Sequence, residues 1–162
     1  MTTNNQPPCP PALDPATVPA TSRSGYPSEE LRAPLAGRSR RALGDALGLV
    51  TFGVNLTELA PGAWLSQRHW HTRQDEFIYV LEGEVTLITN AGEQVLTPGM
   101  CAGFPAGVAD GHHLVNRGSA SARFLEVGDR LPGDAGHYSE IDLAARSGRT
   151  PYMFTRRDGS AY

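Results

Sequence analysis

Four of the five histidines lie in two short segments, and their spacing suits metal binding. His69 and His71 are two residues apart, so they point to the same face of a strand. Glu76 opens the next apolar run, and a histidine from the second segment, His112 or His113, would complete three nitrogens and one carboxylate. That donor set predicts that each chain binds one divalent transition metal, which is iron, manganese, nickel or zinc.

The choice of the fourth ligand depends on the register of one strand. His112 shares a face with Leu114 and Asn116, whereas His113 takes the opposite face. This alternation favours His112 as the ligand. A bulge at residues 110–111 would reverse the register and bring in His113 instead.

Three further polar residues are candidates for contact with a substrate. On a continuous strand Gln67 shares the face of His69 and His71, which makes it a candidate hydrogen-bonding group; the alternative is a hydrogen-bonded core residue. Glu58 and Glu126 are candidates for an additional base. The sequence does not say which face of their strands meets the site, so neither is assigned.

The predicted donor set indicates an open, reactive site. Three neutral imidazoles and one carboxylate leave a divalent metal with a net charge near +1 and with positions for water or substrate. Such a centre binds a small anionic molecule and acts as a Lewis acid during isomerisation or elimination. With iron it could instead activate dioxygen.

Both histidine segments resemble the two conserved motifs of the cupins. The matching positions are Gly62, His69, His71, Glu76 and Gly83 in the first motif, and Gly99, Pro105, Gly107, His112 and Asn116 in the second. A two-residue insertion precedes His112. The resemblance implies an all-β, double-stranded β-helix (jelly-roll) barrel around a metal, and a choice among isomerases, lyases, decarboxylases and dioxygenases.

The pattern along the chain agrees with many short strands separated by Gly and Pro. Strands are predicted over residues 50–57, 63–71, 77–81, 85–89, 94–97, 101–104, 112–116 and 123–127.

The flanks of the barrel differ from it in composition. Eight of the 13 prolines lie within residues 1–34, so residues 1–40 are predicted to form an extended arm without a helix or a core of its own. Its basic run, Arg38–Arg41, is predicted to be a solvated turn. Residues 41–130 are predicted to form the barrel. Residues 131–162 are predicted to be an irregular extension that packs on the barrel or a second subunit, with one or two helical turns at 141–146.

Composition excludes several classes of partner. The net charge of −3 does not indicate a basic surface for binding nucleic acid, and no apolar run approaches the length of a membrane span. The N-terminus lacks the features of a secretory signal, and a disulfide between Cys9 and Cys101 is not expected, so the predicted location is cytoplasmic. A homodimer is expected.

These observations predict a metal-dependent enzyme that acts on a small anionic metabolite, as a sugar (phosphate) isomerase or a lyase. The alternatives are a non-catalytic binding module, an iron-dependent dioxygenase and a closed, structural metal site.

Overall fold

A computed structural model describes residues 11–146 and 152–162, which leaves Cys9 and the first ten residues of the predicted arm outside the description. Within these residues the chain forms short strands and two one-turn helices. The helices are α1 (Glu29–Arg32) and α2 (Leu43–Ala46). The strands are β1 (Ala20–Thr21), β2 (Arg38–Ala42), β3 (Phe52–Leu59), β4 (His69–His71), β5 (Glu76–Glu82), β6 (Val85–Thr89), β7 (Gly92–Leu96), β8 (Cys101–Phe104), β9 (His113–Val115), β10 (Ala122–Asp129), β11 (Ala135–Tyr138), β12 (Ala144–Arg146) and β13 (Met153–Thr155).

The strands pair into three antiparallel sheets. The largest has the order β1-β2-β3-β10-β5-β8, the second β13-β12-β11-β4 and the third β7-β6-β9. The all-β architecture predicted from the short, punctuated strands is therefore confirmed. Among the described residues, no helix is long and apolar enough to cross a membrane.

The main core fills the space between the six-stranded and three-stranded sheets, and it sets the orientation of the site residue Glu76. Val80 and Phe124 are fully buried there, and Ile78 is nearly so. Since successive side chains on β5 alternate, Glu76 shares the inward face of Ile78 and Val80, while Phe77 is 40% exposed on the outer face.

The N-terminal segment is more ordered than predicted. Helix α1 begins after Ser28, whose hydroxyl accepts a hydrogen bond from the Leu31 amide. Leu31 and Tyr26 are buried in a second core with Tyr138 and Leu143 from the C-terminal segment. Residues 11–40 therefore contain a helix and bury apolar side chains, because the C-terminal segment supplies a partner that is not visible in the local sequence.

The prediction of a solvated turn at Arg38–Arg41 is wrong. These residues belong to β2, which pairs with β3. Arg38 is buried, and its guanidinium donates to the carbonyl oxygens of Leu65 (2.6 Å) and Arg23 (3.1 Å). A long side chain that finds internal acceptors can enter a strand that its charge alone would not predict.

The C-terminal segment packs on the barrel through backbone pairing. Strand β11 pairs with β4, and β12 pairs with β11 and β13. The helical turns predicted at 141–146 are absent from these described residues, because Ala144–Arg146 form β12 and hydrogen bonds to neighbouring strands override local propensity. Contact of this segment with a second subunit, and the division of the chain at residues 40 and 130, stay predictions.

Candidate metal centre

The predicted ligands meet where the three sheets come together. His69 and His71 lie on β4 of the four-stranded sheet, and Glu76 begins β5 of the six-stranded sheet. His112 immediately precedes β9 of the three-stranded sheet. Reciprocal backbone hydrogen bonds of 3.2 and 2.9 Å join His69 and His112, so the two segments of the sequence are tied directly at the site.

Three imidazoles converge on one carboxylate oxygen. The Nε2 atoms of His69, His71 and His112 lie 3.7, 3.8 and 2.9 Å from Oε2 of Glu76. Ligand atoms of His69, His71 and Glu76 all lie within 4.8 Å of one another. Three imidazole nitrogens and one carboxylate oxygen this close together fit a divalent transition metal by their chemistry.

Two of these histidines are held by acceptors on their outer nitrogens. His71 Nδ1 lies 2.6 Å from Oδ2 of Asp134, and His69 Nδ1 lies 2.9 Å from the Gln67 carbonyl oxygen. Such partners place the proton on Nδ1 and leave the Nε2 lone pair free to bind a metal. Asp134 is itself buried and accepts the Arg73 amide at 2.9 Å.

The sequence does not identify Asp134, because no local pattern marks it. It lies just before β11 in a segment that resembles a surface loop, and 63 positions separate it from His71. Only the pairing of β11 with β4 brings the two together.

The structure places His112 and His113 in different surroundings. The ring of His112 stacks flat on Phe104, with 3.6 Å between ring centroids, and turns Nε2 toward Glu76. The ring of His113 instead lies 3.3 Å from the Ser66 carbonyl oxygen and packs edge-on against Trp64. This geometry favours His112 as the fourth ligand.

Gln67 does not line a cavity at the site. It is buried, and its amide donates to the Leu31 carbonyl oxygen at 2.9 Å, which corresponds to the alternative of a hydrogen-bonded core residue. The alternation used to place it fails because β4 contains only His69–His71 and the preceding residues bend.

Two cavities reach the histidine cluster. The arginine-lined cavity, of about 450 Å³, is bounded on one side by Arg23, Arg38, Arg40 and Arg130. The leucine-lined cavity, of about 350 Å³, is bounded by residues that include Leu87 and Leu96. The cluster lies between them, since both cavities are lined by His71, Gln74, Glu76, Phe104 and His112.

A polar group of three residues lies on the inner wall of the arginine-lined cavity. Glu126 accepts hydrogen bonds from the Thr57 hydroxyl and from Arg40 Nε at 3.1 Å, and its second oxygen lies 2.9 Å from Arg40 Nη2. Glu58 is exposed on the outer face of β3. Of the two carboxylates that the sequence left undecided, only Glu126 faces the cavity.

Burial and the contacts among the cluster residues set the charge states of His69 and Glu76. Burial lowers the pKa of His69 to about 4, despite the opposing effect of the Glu76 carboxylate. Burial alone would raise the pKa of Glu76, but the hydrogen bond with His112 and the neighbouring imidazoles outweigh it and lower this pKa to about 2. At neutral pH the cluster is therefore in the protonation state that a metal requires at His69 and Glu76.

Three tyrosines line the arginine-lined cavity beside the histidine cluster. Burial raises the pKa of Tyr138, which stacks on His69, and also that of Tyr26. It raises the pKa of Tyr152 to about 12. All three therefore stay neutral and can only donate or accept hydrogen bonds at neutral pH.

The shifted pKa of His69 predicts how the stability of the metal-free protein depends on pH. In the unfolded chain His69 gains a proton near pH 6.5, whereas in the folded protein it stays neutral down to about pH 4. Unfolding therefore takes up a proton in this range, and the free energy of unfolding falls as pH is lowered from 6.5 toward 4.

We expect the wild-type protein to lose up to about 1.4 kcal/mol more per pH unit than His69→Gln between about pH 5 and 6. This window lies above the ordinary pKa of Glu76, so that carboxylate contributes little. Urea unfolding of chelator-treated proteins across the window measures both slopes, and equal slopes would contradict the assignment.

Comparisons with protein families and with solved structures agree on one family. The family model of the cupin domain matches residues 55–128. The chain is similar to a sugar phosphate isomerase from a cupin superfamily, from Silicibacter pomeroyi: 46% identity, a TM-score of 0.90, and coverage of 94% of this chain and 96% of that one. No curated protein sequence shows a significant match.

More distant structures share the architecture. A proposed sugar phosphate isomerase from Acidithiobacillus ferrooxidans has 28% identity and a TM-score of 0.70, over 77% of this chain and 80% of its own. The polyketide cyclase RemF from Streptomyces resistomycificus has 23% identity and a TM-score of 0.61, over 74% and 79%, and shares the fold. Because the Silicibacter relative matches along nearly its whole length at 46% identity, this chain belongs to the cupin superfamily.

Proposed function

We propose that this protein is a metal-dependent isomerase of a small phosphorylated sugar. The observation that carries the proposal is the convergence of three imidazole nitrogens on one oxygen of Glu76, at the inner end of an arginine-lined cavity. The 46% identity to the sugar phosphate isomerase of Silicibacter pomeroyi supports the same substrate class.

The residues that would hold the metal are His69, His71, Glu76 and His112. A bound divalent transition metal would supply Lewis acidity, which stabilises negative charge on a substrate oxygen during formation of an enediolate. Asp134 holds His71 in the tautomer that leaves Nε2 free, and the stacking of Phe104 fixes the ring plane of His112.

The charge of the cavity favours an anion. Its wall carries four arginines against three carboxylates, and a divalent metal at the cluster adds to the positive side. Arg38 stays charged at neutral pH, although burial and the neighbouring Arg40 lower its pKa to about 10. Arg23 is exposed near the cavity, where it is available to a phosphate group.

Aromatic rings also line the cavity beside the proposed ligands. The rings of Tyr26 and Tyr138 contact each other at 5.8 Å between centroids, and Tyr138 stacks on His69 at 5.7 Å. Neutral aromatic walls beside the ligands lower the local dielectric constant, so each charged contact with a substrate becomes stronger.

Metal content tests the proposed ligands. Tag-free wild-type protein is expected to contain about one equivalent of iron, manganese, nickel or zinc by elemental mass spectrometry, and His69→Ala and His112→Ala are expected to lose it. Asp134→Asn is expected to weaken metal affinity about 10–100-fold, because His71 loses its anionic partner.

The matched control for metal content is His137→Ala, since His137 is exposed on the far side of β11 and stacks on Trp70. It is expected to retain full metal content. Retention in His112→Ala combined with loss in His113→Ala would contradict the assignment of His112.

Turnover tests the reaction. Protein loaded separately with each of the four metals is incubated with glucose, mannose, ribose and arabinose that are phosphorylated on the terminal hydroxyl, and NMR follows the corresponding ketoses. At least one aldose phosphate is expected to isomerise. The same sugar without phosphate is expected to react at least about 10-fold more slowly, because a charge-assisted hydrogen bond is lost.

Two other outcomes would replace the isomerase proposal. Metal-loaded protein that binds these sugar phosphates by calorimetry without converting them would favour the non-catalytic binding module. Oxygen consumption by the iron-loaded protein, together with no isomerisation, would favour the dioxygenase.

We also propose that the protein is a homodimer, and its cytoplasmic location stays a prediction. Phe77, Tyr79 and Leu81 alternate along the outer face of β5, and each is about 40% exposed. Such an apolar row on a sheet suits contact with a second copy. Light scattering at micromolar concentration is expected to give twice the chain mass, with Phe77→Glu shifting the mass toward that of the monomer. A monomeric wild-type protein would contradict the proposal.

A further inference from the structure

We propose that Glu126 is the catalytic carboxylate that moves a proton between two adjacent carbons of the bound sugar. This inference rests on the proposed isomerase function and adds to it a residue that belongs to neither cupin motif. It starts from the polar group that Glu126 forms with Arg40 and Thr57 inside the barrel.

The position of Glu126 is defined by strand register. On β10 it lies two residues after Phe124, which is fully buried, and two residues before Gly128, which pairs with Glu76. Glu126 and Glu76 are therefore diagonal neighbours on the same inner face, at backbone positions roughly 7–8 Å apart. A small sugar that contacts the metal cluster can also reach Glu126.

The contacts of Glu126 leave one site on its carboxylate open. Oε1 accepts hydrogen bonds from the Thr57 hydroxyl and from Arg40 Nε, whereas Oε2 contacts only Arg40 Nη2 among the described residues. A carboxylate oxygen has two acceptor positions, so Oε2 can accept a further proton. The side chain is 15% exposed, and that exposed part lies on the arginine-lined cavity.

Structural stability is a poor explanation for this group. A mostly buried ion pair gains little over apolar residues of similar volume, since both charges must be removed from water. The neighbouring inward residues Leu59, Ile78 and Phe124 form the main core. A few convergent polar groups on the wall of an otherwise apolar cavity are typical of binding sites for small molecules.

The other titratable groups on the cavity have different roles. Glu76 and the histidine cluster are the proposed metal ligands. Tyr26, Tyr138 and Tyr152 stay neutral and cannot act as bases at neutral pH. Asp129 accepts the Asp75 amide at the end of β10.

The proton transfer balances within the substrate. Glu126 accepts the proton from the carbon beside the carbonyl group, the C–H bond breaks, and its electron pair forms the C=C bond of an enediolate. The same carboxyl then returns a proton to the neighbouring carbon, while the hydroxyl proton passes from one oxygen to the other. Aldose and ketose are isomers, so no co-reactant is consumed.

Arg40 and Thr57 act as positioning residues in this scheme. The two-point contact with the guanidinium holds the plane of the carboxylate. Thr57 is fully buried, and its hydroxyl donates a third hydrogen bond to the carboxylate. These three contacts fix the orientation of the carboxylate and therefore the direction in which the open acceptor position on Oε2 points.

The test compares Glu126→Gln with Glu58→Gln, which makes the same change on the outer face of the adjacent strand. Both variants are loaded with metal, and isomerisation and deuterium uptake from D₂O are measured with the sugar phosphate that the wild-type protein converts. Glu126→Gln is expected to lower kcat at least about 100-fold, to change KM little and to abolish deuterium uptake. Metal content is expected to stay at the wild-type level.

A third variant covers the case in which Glu126→Gln does not fold. Glu126→Asp keeps the charge but shortens the reach by one methylene, so we expect kcat to fall about 10-fold or more while deuterium uptake continues. Wild-type rates in Glu126→Gln or Glu126→Asp would overturn the assignment and leave the isomerase proposal intact. A wild-type protein that converts no sugar phosphate would overturn both.

Discussion

The convergence of three imidazole nitrogens on a single carboxylate oxygen is the constraint on which the rest of this structure depends. The three nitrogens within 4 Å of Glu76 Oε2 come from the four-stranded sheet and from the start of β9 in the three-stranded sheet, whereas Glu76 belongs to the six-stranded sheet, so the group depends on the relative position of all three sheets. The backbone pairing of His69 with His112 joins two of the sheets directly. Strand β11 then holds β4 from its other side, so the C-terminal segment is part of the site.

The segments that flank the barrel also form part of the cavity wall. Tyr26 from the N-terminal segment meets Tyr138 from the C-terminal segment, and that pair covers His69. The Arg38 guanidinium donates a hydrogen bond to the Arg23 carbonyl oxygen and so holds the N-terminal segment against the barrel. Neutral rings therefore lie beside the candidate metal ligands, whereas the charged residues of the cavity include Glu126 and four arginines.

Prediction from the sequence succeeded for β6 and β8, whose bounds match the predicted 85–89 and 101–104. Glycine- and proline-containing turns lie at both ends of each strand, at residues 82–84 and 90–92 for β6 and at residues 98–99 and 105 for β8, so the local sequence marks where they begin and end. Prediction failed for β2, whose basic residues find internal acceptors, and for β12, whose strand conformation comes from pairing with β11 and β13. Backbone partners from distant segments leave no trace in local periodicity.

The sequence by itself determined the chemical type of the site: two histidines on one face, a carboxylate at the next strand and a histidine pair further on specify a three-nitrogen, one-oxygen donor set. Tertiary structure decided which residues support it. It turned His112 rather than His113 toward Glu76, brought Asp134 to His71 across 63 positions, and directed Glu126 inward. Spacing along a strand encodes a shared face, but only the packing of sheets determines which face is inside.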